Sequence, residues 1–285
     1  MRLGDAPESG NFEDRTGQSG GGGLGGIGGG LIGAFLPMIL SKFGIVGVLV
    51  LALGYCALSS LGGGGGILGG GGGATKTGES KLTKEQRDVL VGVLESTDQV
   101  WTRLFAASGA KYVEPQLVAY SNQNQSGCGA AQAAMGPFYC PTDQSIYIDP
   151  DFFNELSRRF QAPGDFAQGY VIAHEVGHHV QKLEGTLDRA SSAQSQSSKA
   201  AGNAVQVGVE LQADCYAGVW AKQSGVLEAG DIEEGMRAAE AIGDDMLTQG
   251  RVSPDNFTHG TSAQRMEALR RGLQSGDPAQ CNYAR

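Results

Sequence analysis

Residues Tyr170–Val180 read YVIAHEVGHHV, and the spacing within this stretch limits what the chain can build around it. His174 and His178 stand four residues apart, so on a helix they share one face. Val171, Ile172, Ala173, Val176 and Val180 surround them with apolar side chains, so the helix must be packed against other elements on most of its circumference. Two imidazoles on one buried face suit a single metal ion, and Glu175 lies beside them. His174-Glu175-Val176-Gly177-His178 is an H-E-x-x-H motif, in which two neutral imidazoles hold zinc and the carboxylate takes a proton from a metal-activated water. The whole sequence holds four histidines, and two of them occupy this motif.

A catalytic zinc needs a third protein ligand and one open position. Glu210 fits, in Glu210-Leu211-Gln212-Ala213-Asp214 on a second long helical pattern. Asp214 follows one turn later and is expected to accept a hydrogen bond from a ligand imidazole, fixing its tautomer. The apolar setting of Val205, Val207, Val209, Ala213 and Ala217 argues against an ordinary solvated carboxylate pair. Glu184 is the rival, six residues after His178, where zincins with the long HExxHxxGxxH motif place their third ligand. That motif needs a glycine where this chain has Gln181, so the helix carries Glu184 away. His179 points about 100° from His178 around the helix and reads as a supporting or surface residue. His259, in Phe257-Thr258-His259-Gly260, is a candidate hydrogen-bond donor to a tetrahedral oxyanion, with helix capping as the alternative. Arg265 is positioned to pair with the Glu210 and Asp214 carboxylates or with substrate.

The net charge of -9 and the charged fraction of 18% give no basic surface for nucleic acid, so no nucleic-acid partner is expected. Glycine is concentrated in runs at Gly20–Gly30 and Gly62–Gly73, which read as tethers. Between them Phe43–Leu61 carries no charge and is long enough to cross a bilayer. Leu31–Leu40 is also apolar but is interrupted by Pro37 and the Ser41-Lys42 pair. The stretch before Phe43 includes Asp5, Glu8, Glu13 and Asp14, unlike a secretory signal, so a signal anchor is expected. Cys56 lies in this run behind Tyr55, where a lipoprotein site would need a small residue. The expected organisation is a polar and Gly-rich tail at 1–42, one transmembrane helix at 43–61, a Gly-rich linker at 62–81 and a catalytic domain at 82–285. Basic residues do not orient the span as expected: Lys42 precedes it, and Lys76, Lys81 and Lys84 follow it. Four cysteines remain in the domain, and an even number suggests disulfides, Cys128 with Cys140 across a local loop and Cys215 with Cys281 at the tail. Such bonds belong on the oxidising side of a membrane.

Apolar periodicity predicts helices over Leu82–Ala107, from Asp149-Pro150 through Phe160, over Phe166–Leu183 with Asp165 as N-cap, over Ala204–Ser224 and Asp231–Leu247, and over Ser262–Gly272 with Ser262 as N-cap. Short strands are expected at Gln116–Tyr120, Phe138–Cys140 and Ser145–Ile148, with loops at Asn122–Gly136 and Ala190–Gly202. Helices dominate around a small sheet, an α+β layout. Ser145–Ile148 is expected at a sheet edge, where main-chain hydrogen bonds can align an extended peptide.

Five stretches together resemble the bacterial neutral zinc metallopeptidases, a membrane-anchored HExxH family. They are Asn11–Arg15 (NFEDR), Ser126–Asp149, Gly164–Gln181, Glu210–Trp220 (ELQADCYAGVW) and Phe257–Arg265 (FTHGTSAQR). The resemblance covers nearly all of the chain outside the glycine-rich tethers. It implies a zincin-like domain outside the cytoplasm behind one N-terminal anchor in the bacterial cell membrane, zinc on His174, His178 and Glu210, and Glu175 as general base. The site also looks like that of HtpX/Ste24-like peptidases, whose late histidine is similar to His259, although Gly260 stands where those enzymes have proline. The expected activity is endopeptidase cleavage of envelope proteins or peptides. Two alternatives remain: an envelope assembly factor that holds zinc but cleaves nothing, and a zinc hydrolase acting on another amide or ester.

Overall fold

The computed structural model describes residues 1–3, 9–18 and 79–284. The expected span at 43–61 and the tethers lie outside the described residues. Among the described residues, no helix is long and apolar enough to cross a membrane. The expected α+β composition holds.

The chain starts with strand β1 (Phe12–Asp14) and continues, after residues outside the description, with helix α1 (Lys84–Ala107). Strands β2 (Gln116–Ala119), β3 (Gln123–Ser126), β4 (Gly129–Gln132), β5 (Phe138–Cys140) and β6 (Ser145–Ile148) follow. The rest is helical: α2 (Asp151–Arg158), α3 (Asp165–Leu183), α4 (Thr186–Ser195), α5 (Lys199–Ser224), α6 (Asp231–Ala241), α7 (Asp244–Leu247) and α8 (Ser262–Ser275). The main sheet has the order β1-β2-β6-β5, with β1, β2 and β6 parallel and β5 antiparallel to β6. All four residues of β6 are buried between neighbours. The expected edge at Ser145–Ile148 is therefore corrected: β6 is an inner strand, and the edges are β1 and β5. The stretch expected as a loop at 122–136 contains the β3–β4 hairpin, tied to β5 by the Cys128–Cys140 disulfide. Its small and polar residues carry little apolar alternation, so the pairing does not register as a pattern.

The first residues were expected in a tail, and here the reading changes. β1 adds to the sheet beside β2, and Met1–Gly17 belongs to the same compact unit as Gly78–Arg285. Leu3 packs on the core beside Gly92 of α1. The helix termini also differ from expectation. Gly164 caps α3, with Asp165 in its first turn, and Thr261 caps α8 through a capping box with Gln264. The stretch expected as a loop at 190–202 holds the end of α4 and the start of α5, where the Ser198 hydroxyl caps the helix. Ile242 and Gly243 divide the single helix expected at 231–247 into α6 and α7.

The core lies between α3, α5 and the sheet, and includes Trp101, Phe166, Tyr170, Ile172, Val176 and Trp220. Two glycine positions set the approach of the long helices. A Cβ on Gly177 would lie 3.0 Å from the Cα and carbonyl oxygen of Ala213, so α3 and α5 meet closely within the motif itself. A Cβ on Gly218 would stand 2.3 Å from the Leu269 carbonyl, so α8 lies directly on α5. The Cys215–Cys281 disulfide fastens the chain's last described stretch to α5.

Candidate metal centre

The close approach of α3 and α5 brings His174, His178 and Glu210 together. One ligand atom from each lies within 4.8 Å of the others. The Glu210 carboxylate stands between the rings, one oxygen 3.2 Å from His174 Nε2 and the other 3.7 Å from His178 Nε2. His174 and Glu210 are buried.

The other nitrogen of each imidazole is held by a different device. His174 Nδ1 donates to Asp214 Oδ1 at 2.8 Å. His178 Nδ1 donates to Gln181 Oε1 at 2.9 Å. With Nδ1 tied in this way, each ring that loses its Nε2 proton to a bound ion presents a lone pair at the shared point, the tautomer a metal ligand needs. Gln181 is fixed in turn, donating to the Val209 carbonyl at 2.7 Å and to Gln212 Oε1 at 3.0 Å. Gln206 Nε2 holds one Glu210 oxygen at 2.9 Å.

Asp214 is fully buried and each of its oxygens is used. Oδ1 accepts from Tyr170 Oη at 2.6 Å, from His174 and from Arg265 Nη2 at 2.8 Å, while Oδ2 accepts from Arg265 Nε at 2.9 Å. Arg265, itself 2% exposed, is therefore committed to Asp214 and also donates to the Ile242 carbonyl. Of the two partners expected for it, this is the structural one. Burial works against the Asp214 carboxylate, but the charges of Arg265 and His174 outweigh it and lower its pKa. The Glu210 carboxyl is likewise held well below its ordinary value: burial opposes ionisation, and the His178 charge and both imidazole contacts overcome it. Glu175 differs. Burial dominates and raises its pKa, so its proton affinity is higher than that of a solvated glutamate.

Among the described residues a second carboxylate group exists, Asp165, Asp231 and Glu234, but it offers no imidazole. Glu184 lies outside the ligand group. It accepts the Tyr216 hydroxyl at 2.7 Å, at the end of α3. His179 faces the sheet, where Tyr139 Oη donates to its Nδ1 at 3.0 Å and its Nε2 donates to the Val113 carbonyl.

His259 sits on the loop between α7 and α8. Asp244, at the start of α7, gathers this loop: one carboxylate oxygen accepts the backbone N–H groups of Thr258, His259 and Gly260, and the other lies 3.1 Å from His259 Nδ1. Gly260 rests on Val207 and Leu211 of α5, on either side of Glu210 in sequence, and the His259 charge lowers the Glu210 pKa. The imidazole is about one-third exposed, so it can be reached from solvent.

Four supporting residues were not singled out from sequence: Tyr170, Gln181, Gln206 and Asp244. Tyr170 is four residues before His174, Gln181 three after His178 and Gln206 four before Glu210, so helical spacing carries a signal for each. Asp244 lies fifteen residues from His259 on another helix, and nothing in the sequence pairs them.

The donor set of two imidazoles and one carboxylate, with both second nitrogens tied, fits zinc. The chain is 45% identical to Uncharacterized protein YpfJ of Escherichia coli K12, across 99% of this chain and 98% of that protein. It is 43% identical to Uncharacterized protein Rv2575 of Mycobacterium tuberculosis H37Rv, across 68% of this chain and 69% of that one, and matches Mb2605 of Mycobacterium bovis equally. No solved structure matches it. The model of the family described as "Putative neutral zinc metallopeptidase" covers residues 1–284, and the chain belongs to that family.

Proposed function

We propose that this protein is a zinc-dependent endopeptidase that hydrolyses envelope proteins or peptides. The observation that carries the reading is the buried group His174, His178 and Glu210 with Glu175 beside it, each imidazole oriented by its own partner. A site that only held zinc for structure would close the fourth position with another ligand and would have no use for a buried carboxylate of raised proton affinity.

His174, His178 and Glu210 would hold the ion, which when bound supplies a Lewis acid for water and for the substrate carbonyl. Glu175 accepts the proton of the attacking water and returns it to the leaving amine. His259, its ring held by Asp244, offers a ring N–H to the oxyanion that develops on the carbonyl. Asp214, Arg265 and Gln181 keep the imidazoles in place. Edge strand β5 packs against α3 through the Tyr139–His179 bond and is the edge on which an extended substrate can add as a further strand. The two disulfides support a domain outside the cytoplasm, and the uncharged run Phe43–Leu61 supports its place at the bacterial cell membrane.

The test is zinc content and cleavage of casein or a peptide library, with the full chain and its Glu175→Gln variant. A chain truncated at Leu82 is unsuitable because it lacks β1. Cleavage by the zinc-loaded protein and none by the variant is the expected result. Full zinc occupancy without cleavage of any peptide would favour the assembly-factor reading, and cleavage of esters or non-peptide amides alone would favour a different hydrolase.

A further inference from the structure

The stretches on either side of residues 18–77 are fastened to each other. In β1, Phe12, Glu13 and Asp14 lie opposite Leu117, Val118 and Ala119 of β2. The ladder extends past the strand: Leu117 donates to the Asn11 carbonyl at 2.8 Å and Arg15 to the Ala119 carbonyl at 2.7 Å. Thr16, 1% exposed, accepts the Lys81 N–H on its hydroxyl at 2.9 Å. Asp14 binds both sides at once. One oxygen accepts the Thr16 N–H and hydroxyl at 2.8 and 2.6 Å, and the other accepts the Ser80 hydroxyl at 2.5 Å. The Arg87 guanidinium of α1 lies 5.2 Å over the Phe12 ring. The chain thus leaves the domain at Thr16 and re-enters it at Lys81, one hydrogen bond away.

A helix that crosses the hydrocarbon core sets its ends roughly 30 Å apart, in different compartments. A single crossing between Thr16 and Lys81 is incompatible with β1 in the sheet. Between Arg15 and Lys76 the sequence has one charged residue, Lys42, and it contains the apolar run Phe43–Leu61, a composition suited to lipid. We propose that residues 9–16 and 81–284 lie in one compartment, on the same side of any bilayer the chain meets. The single crossing expected from the apolar run would put those two stretches in different compartments. The weak charge contrast across that run follows, because flanks that face the same side need no opposed Lys and Arg counts. With the disulfides outside the cytoplasm, the NFEDR segment is outside as well. This inference is independent of whether the site cuts peptides.

The test uses the full chain in a bacterial host, with Cys56→Ser as parent and single reporters at Gly10→Cys and Lys111→Cys. A Cβ at Gly10 meets nothing within 4 Å, and Lys111 is exposed, so both reporters are tolerated. Each is labelled with a membrane-impermeant maleimide before and after permeabilisation. Equal ratios at the two positions, within about twofold, are expected; one position labelled in intact cells and the other only after permeabilisation overturns the proposal.

Discussion

His178 and His179 are neighbours in the chain and face different sides of α3. On the α5 side, burial opposes the His178 imidazolium, yet the Glu210 carboxylate prevails and raises its pKa. On the sheet side, burial acts on His179 without a carboxylate partner and lowers its pKa. The first ring is held in a field of charges that a metal ion can enter, while the second is a neutral ring hydrogen-bonded to Tyr139 and the Val113 carbonyl, with the Tyr112 ring edge-on against it. The same side chain on one helix becomes a ligand or a core residue according to what packs against it, so residue type alone does not mark a site.

The largest effect that tests this contrast is chemical. Glu175→Gln is expected to lower kcat by about 10²–10⁴-fold while zinc content, measured by elemental analysis, is unchanged. Loss of zinc together with activity would make Glu175 a ligand. Next comes Arg265→Leu, which leaves Asp214 buried without its cation. Unfolding free energy from denaturant titration is expected to fall by about 3–5 kcal/mol, and Arg265→Lys, which lacks the planar fork, should recover only part of it. A change under 1 kcal/mol would mean that water or the Tyr170 hydroxyl suffices. His259→Ala is predicted to reduce kcat by about 10²–10³-fold with little change in KM, and Asp244→Asn by about 10-fold through loss of ring orientation. An equal loss in KM alone would assign His259 to substrate binding.

On the sheet side, Tyr139→Phe removes the donor to His179 and should cost about 1–3 kcal/mol of stability. Zinc content and turnover per folded molecule should stay within twofold, and a larger loss of turnover would join the two faces functionally. The remaining effect is a pH slope. Asp98 of α1, buried beneath the Tyr112 hydroxyl that donates to it at 3.0 Å, is pushed by that burial up to about 8 from 3.8. The folded chain keeps this proton across that window while the unfolded chain loses it, so this contribution to stability is full below the lower value and declines as pH rises through the upper one. The slope is at most about 1.4 kcal/mol per pH unit. Asp98→Asn should flatten it, as seen by denaturation at intervals between pH 5 and 8.

Much of the candidate site was legible because it is written in local spacing. The i, i+4 histidines and the Glu210 and Asp214 pair follow from positions along the chain, and the even cysteine count pointed to disulfides. Glu184 could be set aside because a helix without a turn at Gln181 carries it off, and it does lie with Tyr216 instead. What escaped was long-range or weakly patterned. The β3–β4 hairpin has too little apolar alternation to register, and the expected edge at β6 is an inner strand because β5 folds back beside it. The Asp244–His259 pair spans two elements. Gln181 looked like a missing glycine and is instead the residue that orients His178.

The sequence by itself determined the helix that carries the motif, the chemical types of the expected ligands and the α+β composition. Those depend on periodicity and residue chemistry, which act within a turn or two of the chain. Tertiary structure decided which face of α3 meets the charges, which nitrogen of each imidazole is left free, and that β1 joins the sheet from across an apolar insertion. Those outcomes depend on the close approach of backbones at Gly177 and Ala213 and on hydrogen bonds between residues far apart in sequence, such as Lys81 to Thr16. No local pattern encodes a contact whose two halves are each ordinary until packing brings them together.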